Sequence, residues 1–305
     1  IHRKIVLYFD YIFIFRPTLF FIIWFIICLG MYSAYLGNGY IPQWLAEFNI
    51  KTCLLFIAIS LIMASIFVEE GENKVLDKDY LDKNLISLLS RISLYLGLLI
   101  LFFINIYNFI LGLSLYFFWY FLYRKNIVKN NFFIKSFINF FISLILLFSG
   151  FFIIASDNNY FLLNISNMQE SIIFILLSSL CLLTIFLFIE LTQNNDNTII
   201  DKKRYISFFC VVLLIIVMTI SIIINEPLLS LCTAVSVPFY IYALLRNLDK
   251  DIIRSSRYPL FIFNFFIVTL FPYLGLALVI VFYVSKYYYW YRFDVNYPTF
   301  LIHND

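Results

Sequence analysis

Long apolar runs separated by short polar clusters follow one another along the whole chain. Most of the runs are about 20 residues long, the length at which an α-helix crosses the hydrocarbon core of a membrane. Clusters of charged and turn-forming residues divide the chain into nine predicted spans, at residues 15–36, 53–69, 87–105, 107–123, 133–155, 171–191, 206–225, 227–246 and 259–286. The pattern therefore predicts an all-α, polytopic membrane protein with nine transmembrane helices and one transmembrane domain over residues 1–305.

The composition agrees with a membrane protein. Of the 305 residues, 63% are hydrophobic and only 13% are charged. A soluble domain carries about 25% charged residues, so the composition excludes a separate water-soluble domain. The net charge of +3 includes no basic stripe of the kind that binds nucleic acid, and we expect membrane lipids as partners instead. Only 8 glycines are present, which predicts helices that pack through bulky side chains.

The basic residues are distributed unevenly between the two sides of the predicted bundle. With the N-terminus inside, all but three of the 21 Lys and Arg residues fall in or beside the inner segments; the three exceptions are Lys51, Lys286 and Arg292. Cytoplasmic loops of membrane proteins carry such an excess of bases. We therefore expect a cytoplasmic N-terminus, cytoplasmic long polar loops and, after nine spans, a C-terminus on the opposite side.

Candidate metal ligands follow the second predicted span. Glu69, Asn73 and Asp77 recur every four residues and Glu70 lies one position further round, so a continuing helix would carry these oxygen ligands on one face. Carboxylate and amide oxygens are the ligands that Mg²⁺ prefers. The alternative is a solvated loop in which acids pair with neighbouring lysines.

A second polar segment follows the sixth predicted span, on the same predicted side. Glu190 lies at the end of that span, where a charge is costly unless it meets a polar cavity or a partner. Asn194 and Asp196 come next, and together the three would form a second metal-binding wall opposite the first. Taken alone, this segment is also typical of an ordinary loop.

As a pair, the two acidic loops resemble those of the UbiA family of intramembrane prenyltransferases, which carry an NDxxDxxxD motif after helix 2 and a DxxxD-type motif after helix 6. The Arg16-Pro17 entry to the first span, the aromatic, base-terminated segment 115–125 and the tyrosine-rich segment 285–293 are also similar to features of this family. The resemblance covers essentially the whole chain. It implies a UbiA-like bundle of nine helices.

The resemblance also implies an activity and its site. It implies Mg²⁺-dependent transfer of a polyprenyl group from a polyprenyl diphosphate to an aromatic or lipid-type hydrophobic acceptor within the membrane, with aromatic side chains lining a prenyl channel. The metal ligands that it implies are Glu69, Glu70, Asn73, Asp77, Glu190, Asn194 and Asp196. The substrate-binding residues that it implies are Arg16, Tyr120, Arg124, Lys125, Lys202, Lys203 and Arg204. Anchoring of the cytoplasmic side is the alternative role for the five bases Arg124, Lys125, Lys202, Lys203 and Arg204.

The chain departs from the family pattern at its acidic motifs. Asn73 stands where the first motif has its second Asp, and neither Glu190 with Asn194 nor Thr192 with Asp196 supplies two acids to the second motif. A catalytically inactive UbiA-like binding or assembly protein is therefore an alternative. An unrelated polytopic transporter is another, and it would show an internal repeat and helices broken near the middle of the membrane.

Overall fold

The computed structural model of the protein describes residues 9–10, 12–13, 15–36, 49–71, 83–124, 132–157, 165–193 and 197–293. Within these ranges the chain forms ten α-helices and no strand, which confirms the all-α fold class. A 3₁₀ turn, Pro17–Leu19, leads into the first helix. The helices are α1 (Phe20–Leu36), α2 (Ile50–Gly71), α3 (Lys83–Ile104), α4 (Ile106–Arg124), α5 (Phe132–Asp157), α6 (Ile165–Gln193), α7 (Asn197–Ile223), α8 (Pro227–Arg246), α9 (Asp249–Leu270) and α10 (Pro272–Phe293).

The helix boundaries agree with the predicted spans except near the C-terminus. The predicted divisions between α3 and α4, at Asn105, and between α7 and α8, before Pro227, are confirmed. The predicted ninth span at 259–286 is divided between two helices, because the chain bends by 118° between α9 and α10, and only together are these two helices long and apolar enough to form a span. Pro272 starts α10, and a proline disfavours helical geometry at the residue before it, here Phe271 with φ −122° and ψ 77°.

The described residues do not confirm the predicted number of spans. Within the described residues, seven helices are individually long and apolar enough to cross a membrane, or eight spans if α9 and α10 count as one. The protein is thus an integral, multi-pass membrane protein, and the count of nine spans stays a prediction.

Side-chain contacts bring alternate helix termini together at one end of the bundle. We call this the polar end; it contains the last turns of α2, α4, α6, α8 and α10 and the first turns of the other five. Near the end of α2, Phe67 packs edge-on against Trp119 near the end of α4, with ring centroids 5.4 Å apart. The first turns of α3 join them, since Ser90 donates a 3.0 Å hydrogen bond to the carbonyl oxygen of Ser65.

The crossing of α1 and α5 is a contact between small residues, of which the low glycine content predicted few. Gly30 of α1 and Gly150 of α5 face each other's helix backbones. A Cβ built on Gly30 would overlap the carbonyl oxygen of Leu147, and one built on Gly150 would overlap that of Ile27. Small residues allow helices in a membrane to approach this closely. The crossing of α1 and α5 lies at the centre of the buried core.

Candidate functional site

The two helices that precede the acidic loops, α2 and α6, both have their last turns at the polar end of the bundle. Glu69 and Glu70 belong to the last turn of α2, and Glu190 belongs to the last turn of α6. The side chains of Glu69 and Glu70 lie outside the described residues. The predicted ligands that lie outside them altogether are Asn73, Asp77, Asn194 and Asp196.

Glu190 is paired with a lysine that sequence reasoning did not connect to it. Lys135 Nζ lies 2.6 Å from Glu190 Oε2, and only 8% of the Glu190 side chain is exposed, against 29% of the Lys135 side chain. The pair joins the first turns of α5 to the last turn of α6. A buried carboxylate needs such compensation, because it has lost its hydration. Lys135 therefore balances the charge of a carboxylate to which the sequence assigned a metal.

A second ion pair involves a predicted substrate-binding residue. Lys203, buried in the second turn of α7, donates a 2.5 Å hydrogen bond to Asp249 Oδ1 at the start of α9. Two residues later, the buried Asp251 lies 3.3 Å from Arg246 Nε at the end of α8. These contacts tie α7, α8 and α9 together at the polar end. The sequence signal for them is the placement of two acids in the first turn of a helix, where the helix dipole favours negative charge.

Arg16 occupies a strained backbone position at the entry to α1. Its φ of 49° and ψ of 59° are left-handed, although it is not glycine and precedes Pro17. The Arg16 N–H donates to the carbonyl oxygen of Phe13 at 3.1 Å, and the Arg16 carbonyl accepts from the Leu19 N–H at 2.9 Å. Strained positions of this kind persist only where their surroundings hold them, and they cluster at functional sites.

Aromatic rings gather between α1, α2 and α4 at the same end. Phe20 of α1 stacks on Phe67 of α2 with centroids 6.3 Å apart, and Trp119 of α4 packs against Phe67. Tyr120, a predicted substrate-binding residue, is partly buried one position further along, with its ring centroid 6.2 Å from that of Tyr116. A wall of this kind can hold an isoprenoid chain and favour a developing cation through its ring faces.

The remaining predicted bases are described to different extents. Arg204 is exposed at the start of α7. Arg124 and Lys202 lie in helices at the polar end, but their side chains are outside the described residues, and Lys125 lies outside those residues altogether.

The donor set suits a hard cation by its chemistry. All seven predicted ligands offer carboxylate or amide oxygens, which are the atoms that hold Mg²⁺. Among the residues that the structure describes, no three His, Cys, Asp or Glu side chains form a group able to hold a metal ion. Six of the seven predicted ligand side chains lie outside that part of the chain. The fit to Mg²⁺ therefore rests on the chemistry of the donors.

Sequence reasoning also missed a contact between the two ends of the chain. The Tyr288 hydroxyl, near the end of α10, donates a 2.6 Å hydrogen bond to Asp10 Oδ1, and both residues are buried. The ring of Phe13 stacks on the Tyr288 ring with centroids 3.9 Å apart and an interplanar angle of 5°. This contact places the end of α10 at the polar end, beside the segment that precedes α1. The side of the membrane on which the C-terminus lies stays a prediction.

Comparison with known proteins gives a match at the level of structure. No protein-family model and no curated protein matches the sequence. The structure matches that of a solved chain from a study of digeranylgeranylglyceryl phosphate synthase in membranes, with a TM-score of 0.58 and 17% sequence identity. The match covers 88% of this chain and 98% of the other. That enzyme is a UbiA-family intramembrane prenyltransferase. The protein described here therefore has the fold of the UbiA-type intramembrane prenyltransferases.

Proposed function

We propose that the protein transfers a polyprenyl group from a polyprenyl diphosphate to an aromatic or lipid-type acceptor within the membrane. One observation carries the proposal: α2 and α6, the two helices followed by acidic segments, end together at the polar end of a bundle with a prenyltransferase fold. The aromatic wall of Phe20, Phe67 and Trp119 lies at the same end. A site for a polyprenyl diphosphate requires polar, metal-binding segments for the charged diphosphate and, beside them, an apolar wall for the prenyl chain.

The chemistry follows from the residue types at the polar end. Arg16, with the other predicted bases, would bind the diphosphate oxygens, and the aromatic wall would hold the prenyl chain and exclude water. The bond between the prenyl C1 and the diphosphate oxygen breaks with both electrons leaving on the diphosphate. The allylic cation is captured by the acceptor, which then loses a proton. Mg²⁺ held by Glu69, Glu70, Asn73 and Asp77 would supply charge neutralisation of the leaving diphosphate.

The two ion pairs refine the proposed roles. Because Lys135 is already bound to Glu190, this pair offers the metal a carboxylate whose orientation is held and whose charge is partly balanced. Because Lys203 donates to Asp249, its ammonium group contributes to the positive potential of the polar end from a constrained position. Arg204 is exposed and has room to move toward a substrate.

We further propose that the polar end faces the cytoplasm. Among the described residues, the bases at this end include Arg16, Lys203, Arg204, Arg254 and Arg257. The contact between Tyr288 and Asp10 supports a position for the nearby Lys286 at the polar end, whereas the sequence predicted it on the outer side. This arrangement strengthens the basic bias that defines the cytoplasmic side. The end of α10 is then cytoplasmic as well.

The test is transfer of label by the purified protein in lipid nanodiscs. Radiolabelled farnesyl, geranylgeranyl and longer polyprenyl diphosphates are incubated with Mg²⁺ or with EDTA and a panel of aromatic and phosphate-bearing glycerol lipid acceptors. A labelled product that requires Mg²⁺, and that is lost in Asp77→Ala, is expected. Glu170→Gln, which changes a carboxylate at the opposite end of α6 from Glu190, is the matched control and should retain the product.

One structural observation favours a second candidate, an inactive binding protein. The ion pair between Lys135 and Glu190 reduces the negative charge at the second acidic segment, and Asn73 already reduces it at the first. A protein of this kind would bind the labelled polyprenyl diphosphates in the same nanodiscs and release them unchanged with every acceptor. Binding without turnover would therefore replace the transferase proposal with this one.

A further inference from the structure

The last helix returns to the start of the chain and contacts it at several points. Tyr288 donates its hydroxyl proton to Asp10, and the Phe13 ring lies flat on the Tyr288 ring. The same Phe13 ring packs edge-on against Tyr289, with centroids 5.9 Å apart. Phe9 contacts Tyr287 in the same way at 6.4 Å. Helix α10 therefore holds the segment before α1 by one buried hydrogen bond and three ring contacts.

The held segment leads directly to the strained arginine. Phe13 is stacked on Tyr288, and its carbonyl oxygen accepts the hydrogen bond from the Arg16 N–H. Only two residues separate this anchor from the left-handed conformation of Arg16, which a residue before proline does not adopt without support. A displacement of Phe13 would remove that support, and the Arg16 backbone would relax to an extended conformation. The Arg16 side chain would then project from the backbone in a different direction.

We infer that Tyr288 and Asp10 are positioning residues that hold Arg16 in the orientation in which it binds the diphosphate. This inference rests on the proposed function, because it needs Arg16 to contact the diphosphate. Tyr288 and Asp10 are both buried and act through Phe13 and the backbone. Helix α10 thus influences how the site binds the diphosphate without itself contacting the diphosphate.

A purely structural role for the same contact predicts a different result. If Tyr288 only held α10 against the bundle, its loss would lower the melting temperature and leave the diphosphate affinity of the folded protein unchanged. If Tyr288 positions Arg16, its loss lowers the affinity, and the effect disappears once Arg16 has been removed. Double-mutant cycles separate these cases, because residues that act through one another are not additive.

The probe is inorganic pyrophosphate with Mg²⁺, binding to the full chain in nanodiscs, with affinity measured by calorimetry. Arg16→Gln should weaken binding about tenfold, the loss expected for one charge-assisted hydrogen bond. Tyr288→Leu, which removes the hydrogen bond and the ring stack, should weaken it about fivefold. Tyr288→Phe retains the ring and should fall between Tyr288→Leu and the wild type. Tyr283→Leu is the control, since Tyr283 is 63% exposed on the same helix, and it should bind as the wild type does.

The decisive comparison is Tyr288→Leu in the Arg16→Gln background, where we expect no further loss. A full additional loss there, or an unchanged affinity in Tyr288→Leu while Arg16→Gln is weakened, would overturn the inference and leave the proposed function standing. Unchanged binding in Arg16→Gln would also overturn it. Failure of the proposed function has a separate signature, the absence of labelled product from the wild-type protein. If Tyr288→Leu does not fold, Tyr288→Phe and Asp10→Leu test the same contact.

Discussion

Lys135 Nζ lies 2.6 Å from Glu190 Oε2, and this ion pair joins the start of α5 to the end of α6. The carboxylate is almost fully buried and the lysine only partly so. A charge in such a position is tolerated because its partner compensates for lost hydration. The burial of Glu190 therefore depends on Lys135, independently of any part in metal binding.

Lys135→Met should destabilise the protein by about 2 kcal/mol, because it leaves a buried carboxylate without its partner. Adding Glu190→Gln should recover most of the loss, since no buried charge then remains. Thermal unfolding in detergent measures both. Lys250→Met is the control, because Lys250 is exposed in the first turn of α9 and its removal should change the melting temperature little. A double variant as unstable as Lys135→Met alone would show that the pair carries no such coupling.

Asn73→Asp should lower the Mg²⁺ concentration needed for diphosphate binding. An anionic oxygen attracts a divalent cation more strongly than a neutral amide oxygen does, and the added acid restores the family motif at this position. Repulsion from Glu70 and Glu72 will reduce the gain but not reverse it. A Mg²⁺ titration of pyrophosphate binding in both proteins checks the direction. Unchanged or weaker Mg²⁺ dependence in Asn73→Asp would show that the loop does not face the metal.

Labelling of introduced cysteines should place the end of α10 on the cytoplasmic side. In a background without the native cysteines, residues introduced at Asn84, Asn195 and Tyr291 should react from the cytoplasmic side. Those introduced at Asn158 and Asn225 should react from the opposite side. The reason is that Tyr288 contacts Asp10 at the polar end. If the cysteine introduced at Tyr291 reacted from the same side as those introduced at Asn158 and Asn225, this arrangement would be contradicted.

The free energy of unfolding should fall as the pH rises from about 4.5 to about 7, because the Glu226 carboxyl, at the opposite end of the bundle from the polar end, loses its proton. Burial and then the charge of Glu170 raise the pKa of the Glu226 carboxyl from 4.5 to about 7. The folded state therefore binds this proton more tightly than the unfolded state does, so deprotonation between these pKa values favours unfolding. Tyr32 of α1 also lies close enough to interact with the Glu226 charge.

Glu226→Gln should remove this loss, because glutamine resembles the protonated acid. The variant should melt above the wild type at about pH 8 and at nearly the same temperature at about pH 4.5. Melting curves at the two pH values check the prediction. The prediction would be contradicted if the melting temperature of the wild type exceeded that of the variant by an amount that grows as the pH rises.

Gly30→Ala should destabilise the crossing of α1 and α5 by about 2 kcal/mol or more, because the added Cβ overlaps a backbone carbonyl that cannot move freely. Gly150→Ala should behave alike, for the same reason. Gly275→Ala is the comparison variant and should be destabilised less, because its Cβ would meet the side-chain Cγ1 of Val268 and no backbone atom. Equal melting temperatures for all three variants would show that the crossing is looser than the structure indicates.

Much of the fold was predictable because the hydrophobic pattern is local. Breaks at Asn105 and before Pro227 were visible as short polar or proline-containing interruptions. The signal for the break between α9 and α10 was also present, in Pro272, but the hydrophobic pattern continues across it and suggested one span. The close crossing at Gly30 and Gly150 was not predictable, because composition does not show which glycines face one another.

The candidate site was predictable only in outline. Both acidic segments follow an even-numbered helix, α2 or α6, and this numbering predicts that they lie on the same side of the membrane. The distribution of the basic residues supports the same prediction. That Glu190 binds Lys135, and that Lys203 binds Asp249, depends on the rotation of each helix about its own axis. In helices that are apolar on nearly all sides, the pattern of side chains does not specify that rotation.

The sequence by itself determined the membrane location and the helical class, because each follows from the cost of placing charge or unpaired backbone in hydrocarbon. Only the tertiary structure decided that α10 turns back and that Tyr288 meets Asp10, 278 residues away in the chain. The physical reason is that such contacts depend on how ten helices share the available packing surface. A local pattern of apolar and polar residues carries no information about that arrangement.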